Sequence, residues 1–319
     1  MPRMDLPGGI RRITCPLPTR PGHVHAYLLP GADGWTLVDT GIGLPDVAEW
    51  WAQQLEGVEV VRILVTHFHP DHIGAAADVA ELTGAPVHQG ELDYEQTRMV
   101  WANPAWPQRI ADWFLTHGVP RPIAEELIES GSVYTPFIRY QPDPVRVLAG
   151  ERLDGWELVD APGHADGQLC VLKDSILVSA DHLLGRITPT VGLWPESRPD
   201  PLGDYIHSLE RTIELAPTLA LPGHGEPIED PVGRAHELIE HHRERLEVAE
   251  ASLTDAPRSG FDLSFELFGA DLKPASRRFA VAETLSHLER LVREERAARH
   301  EDDGSVTYTA RQLGRRASA

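Results

Sequence analysis

The chain is poor in cysteine, in long apolar runs and in positive charge, and each shortage excludes something. Cys15 and Cys170 are the only cysteines in 319 residues. A framework of several disulfides is therefore excluded; one disulfide is the alternative to two reduced thiols, and the thiols, acting as small buried hydrophobes, are expected in a cytosolic protein. No segment is apolar over the roughly 20 residues that a helix needs to cross a bilayer. The opening "MPRMDLPGGIRR" has basic residues but lacks the apolar stretch of a secretory signal. The expectation is a cytoplasmic protein with no membrane partner. Lys and Arg total 29 against 49 Asp and Glu, a formal net charge of -20. Such a surface repels polyanions, which counts against nucleic acid as a partner. Internal repeats and low-complexity tracts are also missing.

What is present is enough for a large domain and a smaller one. "HAYLLP" and "GWTLVDTG" read as strands joined by a Gly-Ala-Asp-Gly turn. "LPDVAEWWAQQLE" reads as a helix with Val47, Trp50, Trp51 and Leu55 on one side. "VEVVRILVTH" is a buried strand, "GAAADVAELTG" a helix closed by Gly84, and "APVHQG" a short strand. From about 92 to 140 the β-α-β alternation stops. This aromatic stretch, with Trp101, Trp106, Trp113, Phe114 and Phe137, predicts an inserted helical hairpin that serves as a substrate lid or a local core. Strands resume in "RVLAG", "GWELVDAPGH", "QLCVLKD", "SILVSAD" and "LALPGHG", with the helix "PLGDYIHSLERTIELA" before the last. This first domain is expected over 1–229. From 230 to 319, long helices, a short one at "SFELFG" and a hairpin around Asp303-Gly304 predict a small winged-helix-like domain.

The chain holds 16 histidines, and only some are placed for chemistry. His67, His69, Asp71 and His72 fall within six positions, at the end of the apolar run "RILV". Residues two apart on a strand face the same way, so His67 and His69 aim together, and the following turn brings Asp71 and His72 round. Imidazole suits zinc, copper, iron and nickel, and carboxylate widens the choice. Four such groups buried without a cation would be costly. His164, Asp181 and His224 each stand at the end of another apolar run. Five histidines and two aspartates suffice for two metals that share a carboxylate.

These motifs in this order, within "TLVDTG", "APGH", "SAD" and "PGHG" surroundings, resemble the metallo-β-lactamase superfamily over roughly residues 10 to 230. The resemblance implies an α/β fold, an αββα sandwich, with a dinuclear centre. It implies that His67, His69 and His164 hold one metal, that Asp71, His72 and His224 hold the other, and that Asp181 bridges them. The tail is similar to that of the β-lactamase-like protein 2 branch, which lies near glyoxalase II. Two Zn2+ are the expected cofactors, with iron or manganese compatible with the same donors. Paired cations make hydroxide available near neutral pH for attack on a carbonyl or phosphoryl centre, with Asp71 and Asp181 as catalytic residues.

The expected activity is metal-dependent hydrolysis of an ester-like bond, a thioester, lactone or carboxylic ester, in a small molecule. The alternatives are a nuclease or phosphodiesterase acting on single-stranded nucleic acid, and an iron-dependent redox relative. Arg277 and Arg278, where a winged helix would meet nucleic acid, read as a solvated face among glutamates. The tail then serves to cover the site or to form a homodimer contact. His182 reads as structural, His25 has no assigned role, and His23, His88, His117, His207, His236, His241, His242, His287 and His300 read as surface or internally satisfied positions.

Overall fold

The structure is a computed structural model and describes residues 4–311. In chain order its elements are β1 (Met4–Asp5), β2 (Arg11–Pro16), β3 (His23–Pro30), β4 (Trp35–Val38), α1 (Val47–Gln54), β5 (Val60–Val65), α2 (Pro70–Ile73), α3 (Ala76–Thr83), β6 (Val87–Gly90) and α4 (Glu91–Trp101). There follow α5 (Trp106–Thr116), α6 (Arg121–Ser132), β7 (Val145–Val147), β8 (Arg152–Leu153), β9 (Trp156–Asp160), β10 (Leu169–Lys173), β11 (Ile176–Ala180), α7 (Pro201–Leu215) and β12 (Leu219–Pro222). The chain continues with α8 (Pro231–Ala251), β13 (Arg258–Ser259), α9 (Gly260–Phe268), α10 (Pro274–Arg293), β14 (Ala297–Asp302) and β15 (Ser305–Ala310). Two compact units result. One comprises residues up to Asn103, Tyr134–Pro189 and His207–His236; the other comprises Pro104–Val133, Thr190–Ile206 and the residues from Glu237 on.

The first unit is the expected αββα sandwich. A seven-stranded sheet runs in the order β1-β2-β3-β4-β5-β6-β7, and a five-stranded sheet in the order β12-β11-β10-β9-β8. Side-chain alternation sorts each strand's residues between two cores. On β3, Tyr27 and Leu29 turn inward with Val38 and Leu64 to meet Leu158, Leu169, Val171 and Val178 of the other sheet. Val24, Ala26 and Leu28 turn outward, with Leu37, Ile63 and Val65, to be covered by Trp51 of α1, by Leu55 just after it, and by Ala76 and Val79 of α3. Trp51 is fully buried and donates from Nε1 to the Thr40 carbonyl (3.0 Å). From His207 onward α7 is tied to the second sheet by Ser208 to Pro162 and by Arg211 to Asp160.

Strand β2 and helix α4 of this unit go beyond the sequence reading. Strand β2 was not anticipated, because "RRITCP" alternates too briefly between flanking prolines and glycines to stand out. Helix α4 adds a helix at the start of what reads as an inserted helical hairpin, and it carries Asp93, Tyr94, Gln96, Thr97 and Val100 buried.

In the second unit α5 and α6 form the expected helical pair, and α6 also packs on α10. Trp113 contacts Phe114, His117 and Trp194. Strands β13, β15 and β14 form a small sheet, with the hairpin turning on Asp303 and Gly304, both at positive φ as a tight two-residue turn requires. Ser259 caps α9 by accepting from the Asp262 amide. Arg277 is not on a solvated face. It is buried, and its guanidinium donates to Ser264 O and Oγ (3.1 Å each), Gly269 O (2.5 Å) and Ala270 O (3.3 Å) at the end of α9. Among the described residues no helix is long and apolar enough to cross a membrane.

Candidate metal centre

The seven expected residues come together at one edge of the sandwich. Strands β4 and β5 are parallel, as are β11 and β12. Both β9 and β11 are antiparallel to β10, so they too point the same way. The chain therefore leaves β5, β9, β11 and β12 into His67, His164, Asp181 and His224. His69 precedes the first turn of α2, and Asp71 and His72 lie within it. Turning so sharply after a strand puts Asp39 (φ 61) and Ala180 (φ 44) in the left-handed region.

Three overlapping groups have ligand atoms within 4.8 Å of one another: His67, His69 and His164; His67, His72 and Asp181; and Asp71, His72 and His224. His69 Nδ1 lies 2.9 Å from His164 Nε2. Asp181 reaches both ends of the cluster, with His72 Nε2 at 3.4 Å, His224 Nε2 at 3.3 Å and His164 Nε2 at 3.7 Å. Asp71 Oδ2 is 3.3 Å from His224 Nε2, and about a quarter of its side chain is exposed. A side chain at Gly223 would place its Cβ 2.3 Å from Asp181 Oδ1 and 2.9 Å from the His72 ring, so the turn before His224 needs glycine for close approach.

The hydrogen bonds behind the cluster settle which ring nitrogens face it. Thr66 Oγ1 donates to Asp39 Oδ2 (2.8 Å), so it accepts from His67 Nδ1–H (3.0 Å). The same Asp39 oxygen accepts from His72 Nδ1–H (2.8 Å), while Asp39 Oδ1 accepts from the Thr66 amide (2.8 Å). His224 Nδ1–H donates to the His23 carbonyl (2.7 Å). In all three rings Nδ1 is committed behind the cluster and Nε2 is turned to the centre, the orientation a metal ligand needs. His67 Nε2, His72 Nε2 and Asp181 Oδ1 are buried with no hydrogen-bond partner. Buried polar atoms are rarely left so, and their convergence fits a cation.

Electrostatics point the same way. Burial pulls His72 down, yet Asp181, Asp39 and Asp71 together outweigh it and hold its pKa well above the ordinary histidine value. His224 is likewise pulled down by burial and pushed up by Asp181 and Asp71, to about 10. Burial and the surrounding imidazoles of His72, His69 and His164 hold His67 well below the ordinary value. The carboxylates thus demand positive charge at one side of the cluster, while burial and neighbouring imidazoles keep His67 and His69 neutral at the other.

Sequence reasoning missed Asp39, although "TLVDTG" was part of the resemblance, because its role appears only in hydrogen bonds to residues far along the chain. It also missed the part of His23 and His25: the Gly225 amide donates to His23 Nε2 (3.1 Å), and His25 Nε2 lies 2.8 Å from the Gly225 carbonyl, steadying the turn that carries His224. His182 is structural, with Nε2 2.8 Å from Thr212 Oγ1. Cys15 and Cys170 are buried free thiols, as expected.

Comparison with known proteins gives the family. Residues 19–224 match the metallo-beta-lactamase superfamily, and residues 246–311 match the metallo-beta-lactamase-like C-terminal domain. The probable metallo-hydrolase YqjP of Bacillus subtilis is 28% identical over 316 residues, covering 93% of this chain and 96% of that protein. The beta-lactamase-like protein 2 homolog of Drosophila melanogaster is 26% identical, over 69% of this chain and 65% of its own length. A metallo-beta-lactamase family protein from Thermus thermophilus has a crystal structure that superposes with a TM-score of 0.82 at 34% identity, covering 96% of this chain and 99% of that one. A beta-lactamase domain protein from Burkholderia ambifaria gives 0.86 at 28% identity, covering 97% and 94%. With a family match over more than half its length and a His/Asp cluster built to bind metal, the chain belongs to the metallo-beta-lactamase superfamily.

Proposed function

We propose that this metallo-hydrolase uses two cations, zinc by preference, to cleave an ester-like bond of a small molecule: a thioester, a lactone or a carboxylic ester. The reading rests on the three buried atoms without a hydrogen-bond partner, His67 Nε2, His72 Nε2 and Asp181 Oδ1, which converge on one centre. His67, His69 and His164 would hold one cation, Asp71, His72 and His224 the other, and Asp181, within 3.7 Å of histidines of both sets, would serve both. Imidazole and carboxylate donors at this count suit zinc, and iron or manganese accept the same set.

Bound cations supply a water of lowered pKa and offset the charge that develops on the substrate oxygen. The chain supplies the rest. Asp39, Thr66 and His23 hold three imidazoles in one tautomer, so no ring reorganises during turnover. Asp71 is the more exposed of the two aspartates in the cluster, and its carboxylate would orient the attacking water. Asp181, nearly closed off from solvent, stays ionised: burial alone would raise its pKa, but His224 and His72 hold it well below the usual carboxylate value.

Arg277 favours a small molecule over nucleic acid, since its guanidinium is spent on the end of α9 and is not offered to a phosphate. The two buried free thiols support a reducing, cytoplasmic setting. In this reading 1–229 is the catalytic part and the winged-helix-like tail from 230 is accessory. The test is metal analysis of the purified protein with a panel of thioesters, lactones, carboxylic esters, phosphodiesters and single-stranded RNA. Two metals per chain and metal-dependent turnover of an ester-type substrate are expected, and both are lost in Asp181→Ala. Strand cleavage without esterase activity would overturn the reading.

A further inference from the structure

Helix α4 holds chain segments next to all three histidines of one half of the cluster. Phe68 lies between His67 and His69, and both of its backbone polar groups are taken by α4 side chains. Its amide donates to Asp93 Oδ1 (2.9 Å), and its carbonyl accepts from Trp101 Nε1–H (2.8 Å). The two peptide planes that flank Phe68 are thereby fixed, and these set the directions in which the His67 and His69 side chains leave the backbone. The loop that follows His164 closes on the same helix. Gln96 Nε2 donates to Asp166 Oδ2 (3.2 Å), and a Cβ at Gly167 would fall 2.3 Å from the Asp93 amide nitrogen. The other half of the cluster is steadied from elsewhere, His72 by Asp39 and His224 by the His23 carbonyl.

Asp93 is itself held. It is fully buried, and Gln89 Nε2 donates to its second oxygen (2.5 Å) and to Thr97 Oγ1 (2.8 Å). Gln89 Oε1 is buried without a partner, so Gln89 can turn its amide if the acceptor beside it becomes a donor. Trp101 occupies the place that the sequence offers as lid or local core, but its indole N–H is committed to the His67–His69 segment.

We propose that Asp93 and Trp101 are positioning residues for the metal held by His67, His69 and His164, acting through the two peptides around Phe68, and that they leave the other metal alone. The inference rests on the proposed two-metal reading. It gives α4 a role in tuning the affinity of one cation against its neighbour.

The test is a zinc titration of the full chain, stripped with chelator, against a chromophoric competitor. Wild type, Trp101→Phe, Asp93→Ala and Asp93→Asn are compared, each also in a His224→Ala background that retains only the cation held by His67, His69 and His164. Trp101→Phe keeps an aromatic ring and removes the N–H. It should weaken one equivalent 10- to 100-fold, the usual range for an outer-shell partner, and move the other less than about threefold. The same loss should appear in the His224→Ala background. Asp93→Ala should behave like Trp101→Phe, while Asp93→Asn should restore the affinity, because its oxygen still accepts from Phe68 and Gln89 can reverse. A merely structural role would lower both equivalents together, and that result overturns the proposal, as does unchanged binding in Trp101→Phe. Wild-type protein that takes up no zinc would instead overturn the metal reading itself, so the two failures are distinct.

Discussion

Asp39→Asn replaces one oxygen by nitrogen and should disturb both metals at once. Asp39 accepts three hydrogen bonds of 2.8 Å: the Thr66 amide on Oδ1, and the Thr66 hydroxyl and His72 Nδ1–H on Oδ2. An asparagine keeps Oδ1 for the amide and presents two N–H groups where Oδ2 was. Hydrogen bonds to a charged acceptor are worth about 1.5–3 kcal/mol each, so the two at risk set an upper bound of about 3–6 kcal/mol. Rearrangement recovers part of this. The new N–H groups can donate to Thr66 Oγ1 and His72 Nδ1 if both partners become acceptors. Thr66 must then send its proton to His67 Nδ1, 3.0 Å away. Each imidazole shifts its own proton to Nε2, the atom that faces the centre.

The expected residue of the loss is about 2–3 kcal/mol, a fall in Tm of about 4–12 °C for a unit of this size. Restoring each lone pair to the centre means breaking a rebuilt hydrogen bond, about 1.4–2.8 kcal/mol, or 10- to 100-fold in affinity per cation. The assay is zinc competition with a chromophoric chelator alongside thermal melting. Both equivalents should weaken, unlike the one-sided effect expected from Trp101→Phe. Asp39→Asn protein that binds two zinc ions as tightly as wild type would refute the tautomer argument, whatever its Tm.

Gly223→Ala should lower zinc content and Tm together, since its Cβ would lie 2.3 Å from Asp181 Oδ1; a fully loaded, equally stable variant would show that the turn has room. Arg277→Ala should cost about 2–4 kcal/mol in urea unfolding by freeing the acceptors at the end of α9, and RNA retention on filters at physiological salt should be equally weak before and after; an RNA affinity lost without loss of stability would restore the nucleic-acid reading. Burial, with neighbouring positive groups, holds His242 and His287 at about 2 and about 4. Their folded values lie below the unfolded value of about 6.5, so stability is present above pH 6.5 and is lost as pH falls below it. Between pH 6 and 5 each should contribute about 1 kcal/mol of loss, and the urea midpoint of His242→Phe should fall less steeply over that range than that of wild type.

The parts of the fold that were legible in the sequence are those whose signal is local. A strand followed within four residues by a ligand-type residue is such a signal, and it picked out His67, His164, Asp181 and His224, which the structure places together. The turn at Asp303-Gly304 is another, because a positive φ at two successive positions is a property of that dipeptide. What stayed hidden depends on pairing across distance. Asp39 is one acid in an ordinary turn until the Thr66 and His72 donors, 27 and 33 residues on, are known to reach it. Trp101 is one aromatic among several until the Phe68 carbonyl, 33 residues back, is found to need a donor. Arg277 reads as surface charge because nothing in its own helix says that the carbonyls ending the previous helix lie beneath it. All three residues satisfy backbone or side-chain groups that something else in the fold has left exposed. Ligands can be read from spacing, because a metal demands several donors at once. The residues that aim those ligands answer a single donor or acceptor each, and that demand exists only after the chain has folded.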